Sequence, residues 1–133
     1  MAAQVAIRVF DQIPGGGRHE AFKLELVSER VTVRALIEQR VRHEVEEYNQ
    51  KTPEYFHGLV QPTDAERVLN GWRLRKARRI DADRQISSAL EAFQKSRILL
   101  LVNDRQVEAL DDEITLSRDA EVCFYKLVPL VGG

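Results

Sequence analysis

The residues with the clearest chemical potential are the last two, Gly132-Gly133. They follow a run that reads as a strand, Ala120 to Leu127, and an apolar stretch, Val128-Pro129-Leu130-Val131. Glycine has no Cβ and accepts nearly all backbone angles, so a Gly-Gly end can thread a narrow enzyme channel where a bulkier end would clash. A carboxylate is a poor acyl donor. A partner would have to activate it, by adenylation with ATP and magnesium, before a thiol, amine or persulfide could attack. The chain itself would then be a carrier and not an enzyme, with ATP and magnesium bound by the partner and no cofactor of its own. A glycine pair is also what a plain flexible end looks like, so the weight of this signal depends on the domain before it.

That domain is bounded by composition. A chain of 133 residues is long enough for one domain with a real core. Its formal net charge of -1 gives no support to general polyanion binding. One cysteine, Cys123, excludes an internal disulfide and suits a reducing compartment. Nothing at Met1-Ala2-Ala3-Gln4 has the form of a signal peptide, and no apolar run approaches membrane-spanning length. The expectation is a cytoplasmic protein with no membrane partner.

Val5 to Phe10 reads as a strand, broken by Pro14-Gly15-Gly16-Gly17 and followed by a second strand around Phe22, Leu24 and Leu26. The glycine triplet lacks the lysine and hydroxyl residue of a phosphate loop and reads as a hairpin tip. Thr32 suits a helix N-cap, after which Val33, Leu36, Ile37, Val41, Val45 and Tyr48 form one apolar stripe. Glu38, Arg42, His43, Glu46 and Glu47 fall off that stripe. No cluster of His, Cys and acidic residues has metal-ligand spacing, so no metal site is expected.

Residues 49–96 read as a helical and basic insertion. Thr63-Asp64-Ala65-Glu66 has the pattern of a capping box opening a short helix that ends near Asn70-Gly71. Asp81 or Asp83 caps another, in which Ile86, Leu90 and Phe93 share a face. Between them, Trp72 to Ile80 is the most basic stretch. It reads either as a solvated face with Trp72, Leu74 and Ile80 turned inward, or as a docking patch for an acidic partner; nucleic acid is not expected. Ile98 to Val102 is the most apolar run and reads as a central strand, with a turn at Asn103-Asp104, a short return strand at Gln106-Val107, a brief element at Ile114 and Leu116, and a last strand from Glu121 to Leu127. Cys123 lies within that strand and reads as packing.

This order resembles the β-grasp fold of ubiquitin and of the small sulfur carriers of molybdopterin and thiazole synthesis. The likeness is carried by Thr32-Val33 with Leu36-Ile37, by Leu100 to Val107, and by Leu116, Asp119 to Val122 and Leu127 to Gly133, covering residues 4–48 and 97–133. It implies a single α+β domain, a mixed four- to five-stranded sheet packed on one long helix, with the helical insertion at 49–96 and an extended tail at 128–133. It further implies that Gly133 is the activated acyl group, Gly132 its threading neighbour, and Val128, Pro129, Leu130 and Val131 the stretch gripped by an adenylating, ubiquitin-activating-type enzyme. With Leu100 and Val102 over the helix, the reading turns Ile98 and Leu101 outward. Leu101 then falls where ubiquitin shows its main apolar recognition patch, unless the insertion folds over that face.

Arg105 stands where ubiquitin has its best-known chain-forming lysine. The remaining candidate acceptors are Lys23, Lys51, Lys76, Lys95 and Lys126, the only lysines. The leading expectation is a bacterial-type ubiquitin-like protein modifier: acyl-adenylate, thioester on a partner's cysteine, then isopeptide bond on a target. A conjugating enzyme and a deconjugating protease that cleaves after Gly133 would accompany it, and no maturation step would be needed. Two alternatives stay open, a sulfur carrier with a thiocarboxylate at Gly133 and a non-conjugated β-grasp interaction module.

Overall fold

The computed structural model describes residues 5–26, 28–51, 55–62, 65–68, 71–74 and 79–127. Alternation of apolar and polar residues builds the first hairpin, β1 (Val5–Gln12) and β2 (His19–Leu26). Val5, Ile7 and Val9 face Leu26, Leu24 and Phe22 across the antiparallel pair. Pairing then slips, Val9 opposite Phe22 but Phe10 opposite Glu20, so Ala21 is the extra residue of a bulge. At the tip Gly15 takes φ +75, a left-handed conformation that suits glycine, and the Gly16 amide donates to the Ile13 carbonyl.

β3 (Arg30–Thr32) pairs with the later β9 (Glu113–Thr115) and leads into α1 (Val33–Lys51), whose first turn is capped by the Thr32 hydroxyl accepting from the Ala35 amide at 3.1 Å. The expected stripe, Val33, Leu36, Ile37, Val41, Val45 and Tyr48, is buried throughout. So are Arg40 and Glu44, two charged residues on the same face.

The 49–96 segment differs from expectation. Among its described residues the one helix beyond the end of α1 is α2 (Ala82–Gln94), capped by Asp81, and its buried face carries Ile86, Ala89 and Phe93. The capping-box stretch forms no helix where it is described. Ala65–Val68 is a strand, β5, and with β4 (Tyr55–Phe56) and β6 (Gly71–Leu74) it makes an antiparallel sheet in the order β4-β6-β5. Tertiary pairing overrides the local signal, because an extended chain here can hydrogen-bond to β6, where Val68 meets Gly71 and Ala65 meets Leu74. Gly71 is required by packing, since a Cβ there would lie 2.6 Å from the Phe56 carbonyl oxygen.

β7 (Ile98–Val102) turns through Asn103 and Asp104, both at positive φ, into β8 (Arg105–Val107), and the chain returns in β10 (Glu121–Lys126). The main sheet has the order β2-β1-β10-β7-β8, with β1 and β10 parallel and the other pairs antiparallel. Among the described residues the fold is α+β, a mixed five-stranded sheet with two helices. Ile98, Leu100, Val122 and Phe124 join Val5, Ile7 and Val9 in one contiguous core with α1, α2 and the small sheet. The expectation that Ile98 faces outward is therefore wrong. It is 1% exposed, because strand alternation places it on the same side as Leu100 and Val102.

Candidate functional site

Gly132, Gly133 and the stretch Val128, Pro129, Leu130 and Val131 lie outside the described residues, as does Lys76. What is described is the strand that delivers them. β10 is the middle strand of the sheet, paired in parallel with β1 from Arg8–Glu121 to Gln12–Tyr125 and antiparallel with β7 from Val122–Val102 to Lys126–Ile98. Beyond it the Leu127 amide donates to the Arg97 carbonyl at 3.0 Å. The C-terminal segment thus starts from a strand hydrogen-bonded on both sides.

At the end of that strand lies a cluster of charges, with Asp11, Arg40 and Glu44 buried and Lys126 partly exposed. Arg40, on α1, is fully buried and forks its guanidinium onto both carboxylate oxygens of Asp11 at the end of β1, one nitrogen at 2.8 Å. Its Nε reaches Glu44, one turn on, at 3.4 Å. Glu44 in turn accepts from the Leu59 amide at 2.8 Å. Lys126 places its Nζ 3.7 Å from Asp11 and 5.9 Å from the ring centre of Trp72. The Arg40 guanidinium also lies 4.5 Å from the Phe124 ring centre and 5.6 Å from that of Phe22. Two cations and two carboxylates balance in formal charge, which makes their burial tolerable.

Their proton affinities follow from this packing. Burial by itself would raise the Asp11 carboxyl, but the Arg40 guanidinium, with Lys126 beyond it, outweighs that and holds it at about 2. Burial pushes Glu44 upward, and neither Arg40 nor the Leu59 amide fully offsets it. Burial lowers Lys126, against the pull of Asp11. Arg40 is raised: burial works against its charge, but Asp11 and Glu44 prevail. The sequence signal for this cluster was spacing. Leu36, Arg40, Glu44 and Tyr48 recur every four residues along the apolar stripe, so two charges sit where a helix packed on a sheet should be dry.

The other expected residues are spread apart. Leu101 is half-buried on the sheet face away from α1, opposite Cys123 on one side and Gln106 on the other. The insertion packs on the α1 side: α2 lies against α1, Phe56 meets Tyr48 edge-on at 5.4 Å, and Gln85 donates to the Val60 carbonyl. Lys23 on β2 and Lys51 at the end of α1 are exposed, and Lys95 is exposed with an ion pair to Glu91 at 2.6 Å. Lys126 differs, with its side chain 20% exposed and engaged by Asp11. In the basic stretch Trp72, Leu74 and Ile80 are buried while Arg73 and Arg79 are exposed, and residues 75–78 lie outside the described residues. The Cys123 thiol is buried and pushed up by that burial, the opposite of an activated nucleophile.

Among the described residues no group of three or more His, Cys, Asp or Glu could hold a metal ion, and no helix is long and apolar enough to cross a membrane. No protein-family model, curated protein or solved structure matches the chain.

Proposed function

We propose that this chain is a ubiquitin-like protein modifier of the β-grasp type. A ubiquitin-activating-type partner holding ATP and magnesium adenylates the Gly133 carboxylate, releasing pyrophosphate; a cysteine thiolate of the partner displaces AMP to form a thioester; and a target amine displaces the thiolate to form the amide. The chain serves as the substrate of these steps and supplies no catalytic group. The observation that carries the reading is the pairing of Gly132-Gly133 with a final strand, β10, placed between β1 and β7 in the order β2-β1-β10-β7-β8. That order, with β1 and β10 parallel and α1 on one face, supports the β-grasp assignment. A strand anchored on both edges is a firm base from which to present an acyl donor.

Mass spectrometry of the protein recovered from its native cells tests this by asking what Gly133 is bonded to. The expected result is a branched peptide joining Gly133 to a lysine of a target. A sulfur-for-oxygen exchange at the terminus would replace the reading with sulfur transfer. A carboxylate that stays free with the activating partner present would leave an interaction module.

A further inference from the structure

Three parts of the chain meet at the buried charges. The sheet supplies Asp11 and Lys126, α1 supplies Arg40 and Glu44, and the insertion supplies the Leu59 amide and the Trp72 ring. The insertion's two contributions touch different members of the cluster. Leu59 is fully buried and its amide fixes one oxygen of Glu44, whose other oxygen faces Arg40. Trp72, 7% exposed, places its ring centre 5.9 Å from the Nζ of Lys126, the residue just before Leu127. Within the insertion, Trp72 also lies 6.3 Å from Phe56, centre to centre, and the Phe56 ring meets Tyr48 of α1. Arg40 and Glu44, held away from water, depend on each neighbour that replaces a hydration contact.

We propose that the small sheet of the insertion is a lock on the root of the C-terminal segment: Trp72 and the Leu59 amide close the charge cluster that fixes Lys126, so the insertion and the end of β10 loosen or tighten together. The proposal does not rest on any chemistry at Gly133. It ties the described part of the 49–96 segment to the end of β10. Because coupling of this kind is reciprocal, a partner that binds the C-terminal segment would also be felt at Trp72.

Trp72 is the only tryptophan, so its emission reports one place in the molecule. The test measures amide hydrogen exchange and tryptophan emission in the full chain, comparing wild type with Trp72→Phe and Lys126→Met. In Trp72→Phe the Leu127 and Leu59 amides should exchange faster together, by about tenfold, while Val31 and Ile114 in the remote β3–β9 pair stay as in wild type. In Lys126→Met the emission of Trp72 should shift and the Leu59 amide should again lose protection. Faster exchange confined to residues 71–74, with Leu127 still protected, overturns the lock. So does an equal increase at Val31 and Ile114, which would mean general destabilisation. Should Lys126→Met fail to fold, the Trp72→Phe exchange pattern decides alone, since that variant keeps an aromatic ring in the core.

Discussion

Arg40 joins the two buried carboxylates, Asp11 and Glu44. Its charge is surrounded by two carboxylates and two aromatic rings, so removing it leaves Glu44 without its guanidinium partner and Asp11 with the longer contact to Lys126, 3.7 Å. Arg40→Met should cost about 3–5 kcal/mol in urea unfolding; a loss under about 1 kcal/mol would mean that water reaches the cluster. Asp11 makes a second prediction. Its carboxyl is held at about 2 against the ordinary 3.8. The folded form therefore binds this proton less readily than the unfolded chain. Stability from Asp11 is fully present above the unfolded value and drains away as pH falls through the folded one. The difference amounts to about 2 kcal/mol. Glu44 has the opposite sign: its pKa is raised in the fold, so its unfavourable contribution eases as pH falls through that raised value. Urea titrations between about pH 5 and about pH 2 should show wild type losing more stability than Asp11→Asn over the lower part of that window. Parallel curves would sink the assignment.

At the scale of elements, the insertion is fused to the domain rather than appended to it. Phe56, Leu59, Trp72, Ile86 and Phe93 share one core with Val45, Tyr48 and Phe124. Replacing residues 49–96 by a short linker would expose that face of α1 and leave Glu44 without the Leu59 amide. The shortened chain should lose cooperative unfolding and bind a hydrophobic dye; a sharp thermal transition would show that the insertion is dispensable. Gly71 gives a finer test. A Cβ there meets the Phe56 carbonyl oxygen at 2.6 Å and the His57 ring at 2.7 Å, so β6 would have to move away from β4. Gly71→Ala should cost about 1–3 kcal/mol, read as a lower urea midpoint.

At the scale of the whole molecule, the described core already contains Phe124 and the Leu127 amide is anchored, so the chemistry proposed for Gly133 is separable from folding. One residue added after Gly133 should leave circular dichroism and the thermal midpoint unchanged and abolish conjugation; retained conjugation would rule out Gly133 as the acyl donor.

The sequence by itself determined the two-strand start, the capped helix with its apolar stripe, the helix after Asp81, the central strand at Ile98–Val102 and the last strand, because each is a local period of apolar residues bounded by a turn or cap. It also determined the diglycine and the five lysines. Only the tertiary structure decided that Ala65–Val68 is a strand, since its partner β6 is what makes an extended chain favourable there. Only the tertiary structure brought Asp11, Arg40, Glu44 and Lys126 together, drawing on β1, α1 and β10. Periodicity records which residues face inward along one element; it carries no record of which charges from separate elements will neutralise one another once water is gone.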